Sequence, residues 1–413
     1  MQIGIVGAGM GGLAAAALLA QTGHEVVLAE RFATPRAIGS GLVVQPVGQA
    51  VLEALGAGEA ARGLGAPIRA MQGFDGNRRV LDVSYPLAAP GLAMHRAALF
   101  QVLWDAAMQA GAQMQTGARV VVAAPGEGPR RWLNRDGAPP LGPFDMVIDA
   151  SGAGSVISPL QARPLGFGAV WSQVPWPEAS PLPRDMLSQR YHRAERMAGV
   201  MPIGCLPGDP TPRAAVFWSL PRSALAGWPG TDFEAWRTEV TAFWPEMAPF
   251  LAQFTAADQF TPAAYAHGTL RKPYQPGLAF IGDAAHCASP QLGQGANMAL
   301  LDAMALALAL KMALRENPAH AVDRALPIYA GLRRWHLFGY QAMSAVLTPM
   351  YQSHSRVLPL IRDRLFAPLA RLPPVQRVLS SLAAGDLVLP LAGMAWPEAA
   401  ADARLGRTKG PAP

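Results

Sequence analysis

The chain has 413 residues, 51% of them apolar and 15% charged, with 34 Lys and Arg against 28 Asp and Glu and a pI near 9.7. This composition excludes a disordered chain, and the length predicts two or three units with sizeable cores. The net charge of +6 reads as an arginine-rich surface and not a nucleic-acid site, and two distant cysteines, Cys205 and Cys287, exclude a disulfide framework and predict a reduced cytoplasmic protein.

The N-terminal stretch Met1 to Ala20 is apolar but glycine-rich and lacks a basic start, so it is not a signal peptide. The most apolar later stretch, 303–314, contains Lys311 and is too short to span a bilayer.

Residues 2–6 form an apolar strand that runs into Gly7-Ala8-Gly9-Met10-Gly11-Gly12. A helix over 13–22 follows, then Gly23 as its stop, a second strand over 25–29, and Glu30 with Arg31 behind it. Strand, GxGxxG, helix, strand and acid together make a dinucleotide-binding unit. Gly7 makes the turn, Gly9 lets a pyrophosphate approach, Gly12 lets the helix pack, and Glu30 is spaced to take ribose hydroxyls. The unit does not distinguish FAD from NAD.

Beyond it lie a glycine-containing loop over 36–44 and a helical pattern over 48–55 stopped by Gly56. Residues 67–85 alternate around Asp75-Gly76, which predicts a hairpin in a second sheet. A helix over 95–110 begins with Arg96, a strand pair covers 118–138, and a buried strand over 144–150 leads into Ser151-Gly152.

From Pro159 to Gly268 the composition changes. Six of the ten tryptophans fall here (Trp171, Trp176, Trp218, Trp228, Trp236 and Trp244), among proline breaks and alternating runs such as 197–203 and 215–220. Aromatics of this kind either line a pocket or fill the core of a small sheet, and for each tryptophan alone the core is the plainer reading.

Residues 271–277 lead back to a third buried strand, 278–281, closed by Gly282-Asp283-Ala284-Ala285-His286. Pro290, Gly293-Gln294-Gly295-Ala296-Asn297 and an apolar helix follow. Asp283 sits at a strand's carboxyl end, where open α/β sheets hold ligands, and the glycines free amides at a helix N-terminus. His286 and Cys287 read as local packing and not as a nucleophile or metal pair.

This constellation resembles the FAD-dependent aromatic hydroxylases, the group A flavoprotein monooxygenases typified by para-hydroxybenzoate hydroxylase. The resemblance covers residues 1 to about 347. It implies an α/β fold: a Rossmann-like FAD-binding domain interleaved with a β-sheet substrate domain and a C-terminal helical segment. It implies FAD as cofactor, held by Gly7, Ala8, Gly9, Gly12, Glu30, Arg31, Gly41, Leu42, Arg96, Asp283, Pro290, Gly293, Gly295, Ala296 and Asn297. Within that set Asp283 takes the ribityl chain, Arg96 the ribityl and phosphate region, and the 290–297 loop, Gln294 included, the flavin ring. NAD(P)H is the transient reductant. The implied reaction is hydroxylation or epoxidation, with O2, of an aromatic or apolar small molecule through a flavin hydroperoxide.

Ser151 departs from the family, which has Asp at this point. The Asp-Ala-Ser-Gly form is similar to flavin-dependent halogenases and geranylgeranyl-reductase-like enzymes. A prenyl-chain reductase therefore stands as the alternative, ahead of a halogenase, whose Trp-x-Trp-x-Ile-Pro motif is missing, and a non-catalytic flavoprotein. His192, His267 and Tyr265 are the titratable residues of the substrate region. None is assigned as a catalytic base, and no metal site is predicted.

The C-terminal part holds a second long helix, 321–347, and a stretch over 348–395 with arginines among apolar residues at helical spacing. Packing over the substrate domain is the expectation for that stretch, with a membrane surface or a dimer interface as the other readings. Residues 399–413 are expected to be frayed. The division expected is 1–158 and 270–347 for FAD, with an excursion at 67–91 into the substrate sheet, 159–269 for substrate, and 348–413 as the helical segment.

Overall fold

The computed structural model describes residues 1–34, 39–128 and 130–392. Arg36 to Ile38 of the glycine-containing loop, and the terminal stretch 399–413, lie outside them.

The continuous apolar runs Gln2–Val6, Glu25–Ala29 and Met146–Asp149 are buried on both faces, as strands of a parallel sheet must be. Six strands form that sheet in the order Tyr274–Gln275, Leu278–Phe280, Met146–Asp149, Gln2–Val6, Glu25–Ala29, Gln113–Gln115, all parallel except the first. The helices Met10–Gln21, Arg96–Gln109 and Gly295–Glu316 cover one face. A three-stranded sheet, Val120–Pro125, Arg131–Arg135 and Ala138–Phe144, covers the other. The expected strand pair there gains a third member because residues 138–144 fold back on Arg131–Arg135.

The second sheet has eight strands in the order His286–Cys287, Thr261–Thr269, Arg163–Pro175, Arg213–Pro221, Arg196–Pro202, Met186–His192, Ala70–Asp75, Arg78–Ser84. The last two are the hairpin from the first part of the chain. On one side, helix Phe233–Phe243 and shorter turns pack a core of Trp176, Trp218, Trp228, Trp236 and Trp244 against the sheet. Five of the six tryptophans in this region are therefore core. Trp171 lies elsewhere, against Phe217 at 4.5 Å between ring centres.

The Gly295–Glu316 helix corrects one expectation. It runs 22 residues, and as a whole it is long and apolar enough to cross a bilayer, whereas its most apolar part, 303–314, alone reads as too short to span one. Two thirds of its apolar window is buried, between the Met10–Gln21 helix and the 31-residue helix Ala321–Tyr351. Among the described residues it is the one helix that meets this length and composition, and it is a core helix of the fold.

Past the long helix come Leu358–Ile361, a π-helical turn Arg362–Phe366, Ala367–Leu369 and the helix Pro373–Ala384. This segment packs on the sheet's edge strand, where Gln376 Nε2 donates to Asp82 O at 3.1 Å and Ser380 to Ser84 O. Leu379 and Ala383 reach Val43 and Met201.

Candidate active site

The dinucleotide turn is built by glycines with different duties. Gly7 has φ +96°, and a Cβ there would lie 2.8 Å from the Ala150 carbonyl. A Cβ on Gly12 would meet the Gly7 carbonyl at 2.0 Å, so only glycine lets the helix close on the strand. Gly9 has no protein atom nearer than the Ala150 carbonyl at 4.0 Å. It precedes the first helical residue, and amides of that first turn have no intrahelical partner. Packing does not require a glycine there, whereas close approach of a ligand does. Glu30, 8% exposed, accepts from the Ala8 amide at 2.8 Å and the Phe32 amide at 3.0 Å, so Ala8 serves the acid's placement. Arg31 is exposed and lies over the Phe32 ring.

The third strand ends in Gly282 at φ +57°. Asp283 is exposed to solvent, yet protein surrounds it closely enough that burial raises its pKa, against the pull of His286 and Arg96. Beneath it is a charged cluster that the sequence reading missed. Asp302, fully buried, accepts from the Gly282 amide at 2.9 Å, His286 Nε2 at 2.6 Å and Arg333 Nε at 2.7 Å. Burial pushes its carboxyl up, but the His286 and Arg333 charges outweigh this and bring it down to about 2. Arg333 also donates to Pro390 O at 2.9 Å and contacts His336 Nδ1 at 3.1 Å. His336 Nε2 donates to Gly385 O at 2.9 Å. Burial, then the Arg333 charge, lowers His336 to about 3. The one signal in the sequence was a lone acid, Asp302, inside an apolar helix. His286 proves to be part of this scaffold, as its packing role foresaw.

The loop after it turns at Gly293, φ +62°, with Pro290 exposed. A Cβ on Gly295 would meet nothing within 4 Å. The first bond into the following helix runs from the Met298 amide to Gln294 O, which leaves the amides of Gly295, Ala296 and Asn297 without intrahelical partners. Two side chains assigned to the flavin ring point elsewhere. Asn297 is fully buried, donates to Val43 O and Gly293 O, and accepts from the Gln45 amide at 2.8 Å. Gln294 donates to Ala383 O at 3.0 Å in the C-terminal helix. Asn297's side chain and Gln294's Nε2 hold neighbouring segments, while Gln294 Oε1 is buried with no partner, so what Gly295, Ala296 and Asn297 leave open is backbone amide.

The two helix starts lie side by side, since a Cβ on Gly11 would touch Ala299 at 3.2 Å. Strand Gly41–Val44 pairs with Gly91–His95, and the Arg96 amide donates to Ser40 O at 2.9 Å, so Gly41, Leu42 and Arg96 are neighbours. Gly41 is a glycine for packing, because its Cβ would fall 2.3 Å from Ile203. Burial lowers the Arg96 pKa, while Asp283 and Tyr265 stabilise its charge. Tyr265 accepts from Trp171 Nε1 at 2.8 Å, and Trp171 stacks on Phe217. A chain of neighbours thus runs from Asp283 through Arg96 and Tyr265 to an aromatic wall on the second sheet. Burial pushes the Tyr265 hydroxyl up to about 12 against Trp171 and Arg96. His192 lies apart, in a hollow with Asp75 and Asp363, and burial, then Arg163, lowers His267.

Ser151 donates to Asp149 Oδ1 at 2.6 Å and Ser155 to Oδ2 at 2.5 Å, which ties down a carboxylate with no solvent exposure. Ser158 Oγ donates to the Ala284 carbonyl at 2.5 Å and so joins this loop to the Asp283 turn.

The family model described as "FAD binding domain" matches residues 1–138 and 221–334, more than half of the chain. The chain belongs to that family. A probable 2-heptyl-3-hydroxy-4(1H)-quinolone synthase of Rhodococcus erythropolis is 27% identical over 390 residues, 89% of this chain and 91% of the relative. A 6-methylpretetramide 4-monooxygenase of Streptomyces rimosus is 27% identical over 93% of this chain and 92% of its own. The fold matches PqsL of Pseudomonas aeruginosa in complex with 2-aminobenzoylacetate, with TM-score 0.75, 24% identity, and coverage of 90% and 100%. It also matches HpxO of Klebsiella pneumoniae with FAD and uric acid, with TM-score 0.74, 19% identity, and coverage of 95% and 97%. The protein is an FAD-dependent monooxygenase, and the relatives support oxygen transfer over the prenyl-reductase and halogenase alternatives. The residues present fit FAD on their own terms, with Gly9 and Gly295 each leaving open the space a Cβ would take, two helix starts whose first amides have no intrahelical partner, and Asp283 close enough to Arg96 to stabilise its charge.

Proposed function

We propose that this enzyme hydroxylates a flat, largely apolar aromatic molecule bound between the 290–297 loop and the wall formed by Trp171, Phe217 and Tyr265. The electrostatic neighbourhood that links Asp283 to Arg96 and Arg96 to Tyr265, together with the Trp171–Tyr265 hydrogen bond, carries this reading, because it sets the candidate cofactor residues near an aromatic surface. Gln291 supports it from the loop side, with Nε2 3.7 Å from Met197 Sδ on the same sheet. Residues 1–158 and 270–347 would hold the cofactor, and 159–269 with the 67–91 hairpin would cover the substrate.

When bound and reduced by NAD(P)H, FAD supplies the oxygen-transfer chemistry. The chain's own residues bind and orient. Gly9 and Gly295 admit the pyrophosphate and the ring edge, and Glu30 is set for the ribose. The amides of Gly295, Ala296 and Asn297, at the positive end of a 22-residue helix, face negative charge on the ring. Arg96 and Asp283 hold the middle of the cofactor. Tyr265 stays neutral at physiological pH and already accepts from Trp171, so its own proton is available to a substrate oxygen. That makes it a donor and not a base, and no general base is assigned. The aromatic wall excludes water from the reacting face.

The test is oxygen uptake and NAD(P)H oxidation by the FAD-loaded enzyme with quinolones, phenols and polyketide-like aromatics. One class should accelerate both in equal amounts and yield a product heavier by one oxygen atom. Flavin reduction without any aromatic-stimulated oxygen use rejects the aromatic substrate reading.

A further inference from the structure

We propose that the segment 357–378 is a docking face for the surface of an anionic lipid bilayer. All but four (Phe32, Leu87, Val122 and Val156) of the exposed large apolar side chains among the described residues fall between Trp335 and Leu389. A monomer has no use for such a concentration in its own packing.

The segment from Leu358 to Leu369 has inverted polarity. Its inner side is anchored by Arg362, 1% exposed, which donates to Asp75 at 3.1 Å, Asp363 at 2.7 Å, Arg193 O at 2.8 Å and Met350 O at 3.2 Å. Leu360, Ile361, Leu365, Phe366 and Leu369 are exposed along the segment, and Leu372 follows just beyond. The polar group is thus buried and the apolar groups face outward, as suits an element that meets a second apolar phase.

The charges select which phase. Arg356, Arg364, Arg371 and Arg377 are exposed among these apolar residues. The two carboxylates described between 353 and 392, Asp363 and Asp386, are half-buried, and Asp363 already holds Arg362. An isologous dimer through this face would set arginines against arginines with no exposed carboxylate to pair them. Anionic headgroups supply the missing charge while arginine stems lie along the leucines. A second exposed apolar group lies on the long helix, where Trp335 and Phe338 pack ring to ring, and the next residue, Gly339, closes on Val388 between the exposed Leu387 and Leu389. The helix Pro373–Ala384, whose first part closes the segment, also touches the candidate site at its far end, where Gln294 of the 290–297 loop donates to the Leu382 and Ala383 carbonyls.

The test is flotation of the full-length, FAD-loaded enzyme with phosphatidylcholine vesicles, with and without phosphatidylglycerol. Binding should require phosphatidylglycerol and weaken in high salt. Arg364→Gln with Arg371→Gln should lower the affinity about 25-fold, roughly fivefold per arginine. Leu365→Gln with Leu369→Gln should lower it roughly tenfold. All four positions are exposed, so flavin content and melting temperature should stay at wild-type values. No flotation on anionic vesicles, or equal flotation of wild type and both double variants, overturns the proposal. So does light scattering that finds a lipid-free dimer which the leucine variant converts to monomer, because the occupant is then a second copy of the chain.

Discussion

The two units proposed to face the cofactor, Gly7–Glu30 and Gly282–Asn297, share one plan: a strand ends at a glycine with positive φ, and a helix starts beside an open one. They differ in what holds them. The first is held mainly by its own backbone, as Gly12 fits against the Gly7 carbonyl and its acid is set by the amides of Ala8 and Phe32, with Ala150 of the neighbouring strand end as the one distant backbone that Gly7 must clear. The second is held from a distance, with Asn297 bound to residues 43 and 45, Gln294 to residues 382 and 383, and Asp302 to Arg333. The same ligand-facing geometry thus rests on glycine in one unit and on buried polar side chains in the other.

The largest effects should come from breaking each support. Gly12→Ala forces a Cβ to 2.0 Å from a backbone oxygen, and Arg333→Met leaves Asp302 charged and buried. Each should cost about 3–5 kcal/mol in denaturant unfolding. Loss of FAD with unchanged stability in either variant would mean that the support is not structural.

Acid should weaken the second unit before the first. His336 is neutral in the fold with its pKa near 3, against 6.5 unfolded, so the unfolded chain takes up the proton first. Its contribution is fully present above pH 6.5 and is lost as pH falls toward 3, about 3 kcal/mol by about pH 4. His336→Gln should flatten the melting-temperature profile over that window. Asp302, at about 2, adds a separate loss only below the ordinary carboxylate range, near 3.8.

Asn297→Ala removes three hydrogen bonds and strands the buried Gln45 amide, for about 1–3 kcal/mol. The cost should appear in apoprotein unfolding, as a scaffold role requires, whereas a loss confined to FAD affinity would return the side chain to the ring.

The smallest effect on stability separates ligand glycines from packing glycines. Gly9→Ala and Gly295→Ala meet no close protein atom, so each should shift the melting temperature little. Each should nonetheless weaken FAD binding about tenfold or more, read by flavin fluorescence, since ~1.4 kcal/mol is one decade. A fall in stability like that of Gly12→Ala would erase the distinction.

The sequence by itself determined the first unit, because its strand, turn, helix, strand and acid follow one another within thirty residues and the acid's own partners, Ala8 and Phe32, lie in the same stretch. It also marked Asp283, Arg96 and the Gly293–Gly295 turn, since a strand end and a helix start are local events. It favoured core for each tryptophan, which holds for five, but did not show that Asn297 is tied to residues 43 and 45 and Gln294 to 382 and 383, or that Asp302, Arg333 and His336 form one cluster. Side-chain direction and the pairing of residues dozens to hundreds apart are settled by packing, which spacing does not encode. The C-terminal segment makes the same point: its arginine and leucine pattern was legible, but only the tertiary structure decided that Arg362 goes inside and the leucines stay out.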